Sequence, residues 1–584
     1  MPSIISHSPI PSRSSIFIRD PPAERLGIDV LQLIFEACGE GNRTKEEAEH
    51  IPFTLASVSR CWRMVALKTS RIWTTIFFQG FTTSTRTFSR AFICLRYSRL
   101  RPLVVHVDMR REEYKPLLPP EEEDASIYSL VRHRMEWMEE LLQHHTWRIR
   151  ELSFIADTYK PIDVFLRCLE SSRFISLESI DIRRANPLYV KMDEFEPSSL
   201  ILFKQPSSIC DFRRAAGVRS LDLLGVHVHW EKVMVHKLTR LTLGYMADEV
   251  RPSLEQLYGL LLASRQTLEY LDLQGILEAE YHSLGIQEYE VEEQNVASDG
   301  QRGTGAGTAS NTAEGRRQRA WNNMVNGWVE EGPTDFWPGD FPNLRELRLG
   351  FLGMHEGVVV LSLIRAPKLR HLTLTDIQYT LWPIDEQPWG RSTHRCHDML
   401  VYIGRRHIFD PDALPLGLLE SLRFEGIYPS PNVATLFLTD CDRLRSLSVI
   451  NSAQVLITSG LERNSFSGLE KPSAVLESLH VHIRSVCPVS SAIYIFKTEM
   501  EQARRDFVPL ETLAVDYDCF PECRDCKECY SLPHALDEQT ARVMFEGYHV
   551  ANQVVLRRVP LKEGGPPICP HHEEMLGWKS EVAL

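Results

Sequence analysis

Eight six-residue segments of this chain follow one pattern, Leu-x-x-Leu-x-apolar. They are LTRLTL from Leu238, LEYLDL from Leu268, LRELRL from Leu344 and LRHLTL from Leu369. LESLRF begins at Leu419, LRSLSV at Leu444, LESLHV at Leu476 and LETLAV at Leu510. Within each, the last two apolar residues stand two apart, the period of an extended strand that buries one face. Looser copies come earlier: IRELSF from Ile149, LESIDI from Leu177 and VRSLDL from Val218. Leu344 to Leu369 is 25 residues, Leu369 to Leu419 is 50, and Leu419 to Leu444 is 25. Other steps run from 20 to 41, apart from one gap of 76 between Leu268 and Leu344.

A unit of about 20–29 residues with this consensus is identified as a leucine-rich repeat, a strand plus a helix or looser return. Return helices are predicted at LEQLYGLLLAS from Leu254 and VVVLSLIRA from Val358. Each unit buries its leucines only against its neighbours, so the array should form one solenoid. The expected fold class is α/β: a short N-terminal helical module, then a degenerate leucine-rich-repeat horseshoe over residues 147–530 with disordered insertions. One insertion, at about 280–335, runs from acidic (EYEVEEQ) through Gly/Ser/Thr-rich to basic (RRQR), a composition that cannot bury a core. Trp321, Trp328 and Trp337 are expected to re-enter the fold there or to grip something. A second, at about 382–415, is expected where one repeat is missing.

Alternation assigns the opposite, concave face of the strands. It should carry Arg240, Thr242, Tyr270, Asp272, Glu346, Arg348, His371, Thr373, Ser421, Arg423, Ser446, Ser478 and His480. Taken singly, each fits a solvated strand face. As a set, with Arg240, Tyr270, Asp272, Glu346, Arg348, His371, Arg423 and His480 the chemically richest, they form the expected target-docking surface, mildly basic at its middle.

Ahead of the array, residues 23–80 read as a helical module, with 1–22 a disordered leader and 81–146 a connecting or capping region. Asp29 is expected to cap a helix, with Gln32 three residues on. Val30, Leu31, Ile34 and Phe35 follow at helical spacing and Leu33 widens the stripe. Gly39 and Gly41 should end it, and Asn42 to His50 should be a loop. A second helix is predicted to carry Leu55, Val58, Trp62 and Val65 on one face, and Thr69 to Trp73 to begin a third element. On pattern alone these helices serve equally as a cap on the array.

LGIDVLQLIFEAC, IPFTLASVSRCWRMVAL and SRIW, in that order, resemble the F-box in its fungal form. The resemblance covers about 50 residues. Its most specific part is Val58-Ser59-Arg60-Cys61-Trp62-Arg63 with Ala66; the family's usual Leu-Pro start is Leu26-Gly27 here. The resemblance implies docking to a Skp-type adaptor and, through it, a cullin–RING ubiquitin ligase. Carried over, Leu26, Ile28, Leu31, Ile34, Leu55, Val58 and Trp62 would supply the adaptor-binding face or the core beneath it.

Composition removes several other classes. With Lys+Arg 65 and Asp+Glu 78, the 584-residue chain has a formal charge of −13, which argues against a phosphate-gripping nucleic-acid protein. No window approaches the ~20 apolar residues of a spanning helix, so no membrane partner is expected. The first 19 residues lack acids, as a transit peptide would, but Pro2, Pro9 and Pro11 break the helix it needs. Thirteen cysteines spread over so long a chain are no secreted disulfide framework, which points to cytoplasm or nucleus.

Cys519, Cys523, Cys526 and Cys529, spaced C-x3-C-x2-C-x2-C with Cys569, His571 and His572 beyond, are the candidate zinc ligands. Reduced thiols on an exposed loop fit the same spacing, and no other cofactor is expected. Phosphate-loop, H-E-x-x-H and G-x-S-x-G templates are missing, so the chain reads as a non-catalytic adaptor. The expectation is therefore a substrate-recognition subunit of an SCF-type ligase that holds an unidentified protein target. The alternative is a ligase-independent repeat scaffold.

Overall fold

The computed structural model describes residues 26–40, 45–79, 85–110, 125–157, 161–162, 164–166, 174–184, 217–226, 228, 230, 235–246, 251–277, 338–377, 396–462, 475–482, 496, 508–517, 543, 545 and 550–558. The chain divides into two compact units, Met1–Val107 and Asp108–Leu584. The first therefore runs past residue 80 into the expected connecting region.

That first unit contains α1 (Ile28–Glu40), α2 (Lys45–Val58), α3 (Arg60–Lys68), a 3-10 turn (Ser70–Trp73), β1 (Thr75–Gln79), α4 (Thr85–Tyr97) and most of β2 (Leu103–Met109). Helix α1 starts before Asp29. The Leu31 N–H already donates to the Gly27 carbonyl at 3.0 Å, so Asp29 sits in the first turn rather than at the cap. There its charge favours the positive helix end. Helix α2 begins inside the expected loop and carries Pro52, and the predicted second helix is in fact two. Ser59 breaks it: its backbone is extended (φ −152°, ψ 172°) and its Oγ accepts the Trp62 N–H at 3.2 Å, a side-chain N-cap. Trp73 anchors the core, 1% exposed, its Nε1 donating to the Ala66 carbonyl at 2.7 Å and its ring edge-on to Phe53.

The second unit is mixed α/β around a parallel sheet. After α5 (Ala125–Leu142) come β3 (Ile149–Ala156), β4 (Ser179–Arg184), β5 (Ser220–Leu224), β6 (Arg240–Gly244), α6 (Leu254–Ser264) and β7 (Tyr270–Gln274). Next are β8 (Gly339–Asp340), β9 (Glu346–Phe351), α7 (Met354–Ser362), β10 (Ile364–Arg365), β11 (His371–Asp376), α8 (His397–Phe409) and β12 (Ser421–Glu425). Last are α9 (Pro431–Asp440), β13 (Ser446–Ile450), α10 (Gln454–Glu462), β14 (Ser478–His482), β15 (Leu510–Tyr517) and β16 (Ala551–Arg558). All eleven leucine segments thus become strands, and β16 carries the sheet past residue 530. From β3 to β16 they pair in chain order, with β8 and β10 forming a small ladder of their own.

One register runs through the whole sheet. Leu221, Leu241, Leu271, Leu347, Leu372, Leu422, Leu447, Leu479 and Leu513 stand level on successive strands, all buried. Burying each leucine contributes about 2 kcal/mol, so any one-residue slip is strongly disfavoured. The residue after the first leucine of each repeat fixes the register with its backbone. The carbonyls of Arg345, Arg370, Glu420, Arg445 and Glu477 each accept two N–H groups from the next repeat. From Arg370 onward their side chains alternate in charge, and Arg370–Glu420 (2.9 Å) and Arg445–Glu477 (3.0 Å) pair across strands.

The long gaps are not missing strands. β7 pairs directly with β9, and β11 directly with β12. The insertion at about 280–335 lies outside the described residues, as do the three tryptophans. The latter half of the expected second insertion is helix α8, with Met399, Leu400 and Ile403 buried, packed against α7 and α9. The residues from Leu254 form α6, closed by a Ser253/Gln256 capping box. The apolar run from Val358 only finishes α7, which starts at Met354, before entering β10.

Candidate functional site

Two surfaces carry the sequence-predicted site residues, one on each unit. On the first, α1 is apolar around most of its circumference. Leu31 and Phe35 point into the core, both 0% exposed. Val30, Leu33 and Ile34 lie on the other side at i, i+3, i+4 spacing, with Leu33 67% exposed. Leu26 and Ile28 ahead of them, Val58 at the end of α2 and Met64 on α3 are exposed as well. One apolar side of α1 is thus buried and the other faces solvent.

This divides the expected adaptor-binding residues. Leu26, Ile28, Ile34 and Val58 are open to solvent, whereas Leu31 lies in the core beneath them. Leu55 and Trp62 are half-buried. The Trp62 ring packs on Phe35 at 5.1 Å, and its Nε1 has no acceptor among the described residues. Val30, Leu33 and Met64 join the surface, and the helical spacing of Val30, Leu33 and Ile34 was the signal that could have found the first two. Beneath, the Cys94 thiol is pushed up to about 12 by burial and then by Glu49, which makes it an inert core group.

On the second unit, the predicted strand face is present, and its residues are engaged with one another. The Tyr270 ring lies between two guanidiniums, Arg240 3.8 Å and Arg348 5.3 Å from its centroid. Its hydroxyl donates to Asp272 Oδ2 at 3.0 Å, and Gln274 Nε2 donates to Oδ1 at 2.6 Å. Arg240 pairs with Asp222 at 3.5 Å and Arg348 with Glu346 at 2.8 Å. Burial, then the Asp272 charge, pushes the Tyr270 phenol up to about 12, so it stays a donor. Burial also raises Asp272, against the opposing pull of Gln274, Tyr270 and both arginines.

Tyr270 itself is 9% exposed and Asp272 is half-buried. These two build the face rather than project from it. Thr242, expected on it, is buried too. Arg240, Arg348, His371 and Arg423 are the exposed members, and Glu346 and His480 are half-buried. The expected basic middle is largely neutralised, since Arg423 also pairs, at 3.4 Å, with Glu425. His371 stands level with Glu346 and Ser421 on its flanking strands.

Sequence reasoning missed the partners two residues along the same strand, Glu425 for Arg423 and Gln274 for Asp272. Their i, i+2 spacing places each pair on one face, and was the available signal.

The candidate zinc ligands Cys519, Cys523, Cys526 and Cys529, with Cys569, His571 and His572, lie outside the described residues. Among the described residues no three His, Cys, Asp or Glu side chains gather as a metal site. No helix among them is long and apolar enough to cross a membrane. Compared with known proteins, the chain matches no protein-family model and no curated protein.

Proposed function

We propose that this chain is the substrate-recognition subunit of an SCF-type, cullin–RING ubiquitin ligase. The helical unit would dock a Skp-type adaptor and the strand-and-return array would hold the protein target. The observation that carries this reading is the uncovered apolar set Leu26, Ile28, Val30, Leu33, Ile34, Val58 and Met64 on a unit whose core is already filled by Leu31, Phe35 and Trp73. Exposed apolar surface this concentrated is characteristic of a protein contact. The Ser59-capped helix that carries Trp62 is where the F-box resemblance is most specific.

The array fits a leucine-rich-repeat solenoid: one strand per repeat, level leucines and helical returns such as α6, α7, α9 and α10. Its contribution to the reaction would be proximity, raising the effective concentration of an acceptor lysine near the charged conjugating enzyme. That role asks for no cofactor and no bond-making by this chain.

Co-expression with a Skp-type adaptor tests the reading. The wild-type chain should co-purify with it and Leu33→Asp/Val58→Asp should not, while both give the same circular dichroism. Wild-type chain that purifies alone would leave the ligase-independent scaffold as the better account.

A further inference from the structure

Toward the C-terminal end of the sheet, four polar side chains share the exposed face of neighbouring strands. Arg423 on β12, Ser448 on β13 and His480 on β14 stand level in the register. Asp516 on β15 stands two residues further along, level with His482. Ser448 Oγ lies 3.0 Å from His480 Nδ1, and His480 Nε2 lies 2.7 Å from Asp516 Oδ2. The residue level with His480 on β15 is Ala514, whose small side chain leaves the imidazole room to lean diagonally onto Asp516.

The direction of the two hydrogen bonds follows from the chemistry. An ionised carboxylate only accepts, so Nε2 carries the hydrogen toward Asp516. In the neutral ring Nδ1 is then the acceptor, and the Ser448 hydroxyl must donate to it. That is the arrangement of a serine activated by an oriented base, with the two ring nitrogens exchanged relative to the serine-protease order. Asp516 Oδ1 is buried and has no partner among the described residues, so His480 is the one described group its side chain serves. Arg423, level with Ser448 and exposed, holds Glu425 only at 3.4 Å and has further N–H groups to offer a developing oxyanion.

We propose that Ser448 is an activated nucleophile for acyl groups carried as esters or thioesters. His480 is its general base, Arg423 its oxyanion donor and Asp516 a positioning residue. Ser448 Oγ adds to the acyl carbon while its proton moves to His480 Nδ1. The C–O or C–S bond then breaks, and the departing oxygen or sulfur takes that proton. Water, deprotonated by the same imidazole, releases the acid and restores the serine. The site is independent of adaptor docking.

Two neighbouring serines supply an internal control. Ser446 and Ser478 are half-buried on β13 and β14, and Ser478 Oγ donates to Ser446 Oγ at 2.9 Å with no imidazole involved. The full chain is treated with a fluorophosphonate, in which serine attack on phosphorus expels fluoride, and labelled peptides are quantified over time. Ser448 should react about 10²-fold faster than Ser446 or Ser478. His480→Gln should remove that advantage, Asp516→Asn should reduce it at unchanged melting temperature, and Asp516→Glu should restore part of it. Ser448 labelling no faster than Ser446 in the wild-type chain overturns the proposal, whatever the variants do. So does labelling that survives His480→Gln.

Discussion

Glu356 binds Leu277 across 79 positions of chain: the Leu277 N–H donates to Glu356 Oε1 at 2.9 Å. The other carboxylate oxygen accepts the Leu352 N–H at 2.7 Å, and the side chain is fully buried. One acid in the first turn of α7 thus holds both the point where the chain leaves β7 and the point where it leaves β9.

Glu356→Ala would strand two buried N–H groups, each costing about 1–3 kcal/mol. We expect a loss of about 3 kcal/mol in urea unfolding of the second unit. Glu356→Gln, which keeps one acceptor, should lose roughly half as much.

Several strands leave the sheet through one left-handed residue. Gly225, Gly275 and Gly426 have φ of 66°, 57° and 70°, and Tyr245 and Asn451 occupy the corresponding position at 56° and 45°. Glycine adopts this conformation freely, whereas a side chain makes it strained. Gly275→Ala should cost about 1–2 kcal/mol, since its Cβ would also meet Leu352 at 3.2 Å. Asn451→Gly should be nearly neutral. Equal losses in parallel chemical melts would contradict this account of the turn.

Ser59 separates α2 from α3, and its Oγ is the N-cap acceptor for Trp62. Ser59→Ala should cost about 1 kcal/mol and Ser59→Asp should retain most of the stability. Tryptophan fluorescence during denaturation reads this directly, because Trp62 lies in the first turn after the cap and Trp73 Nε1 donates to the Ala66 carbonyl near the other end of α3.

Asp272 has its carboxyl raised, chiefly by burial. The folded state therefore holds this proton to higher pH than the unfolded state does. Its contribution is greatest below the ordinary aspartate range and is lost as pH rises through the raised value. Asp272→Asn, which cannot ionise, should gain stability relative to wild type as pH rises above the ordinary aspartate value of about 4, until the raised value is passed. A difference in urea midpoint that stays flat as pH rises from about 4 would argue against the burial effect.

Much of this fold was legible in the leucines, because a period-two apolar pattern dictates both strand and buried face. Leu241, Leu347 and Leu447 lie where their spacing puts them. The break at Ser59 was not, since Leu55, Val58, Trp62 and Val65 keep helical spacing through a cap that only backbone geometry reveals. Nor was α8: its buried stretch from Met399 to Ile403 lies in a long step between repeats, where distance from the nearest consensus suggested insertion. For the helical surface, spacing identified an apolar set but could not separate Leu31 from Ile34, three positions apart on the same helix. On the strand face, alternation found Tyr270 and Asp272 but not that flanking arginines cover the first and hydrogen bonds occupy the second.

The most direct measurement is calorimetric titration of the full chain with a purified Skp-type adaptor. Submicromolar one-to-one binding is predicted, weakened by about 10²-fold or more in Leu33→Asp/Val58→Asp, since each removes a central apolar contact. Ser448→Ala should bind as wild type does. Absence of binding by folded wild-type chain, or equal binding by the double variant, would contradict the assignment of that exposed surface.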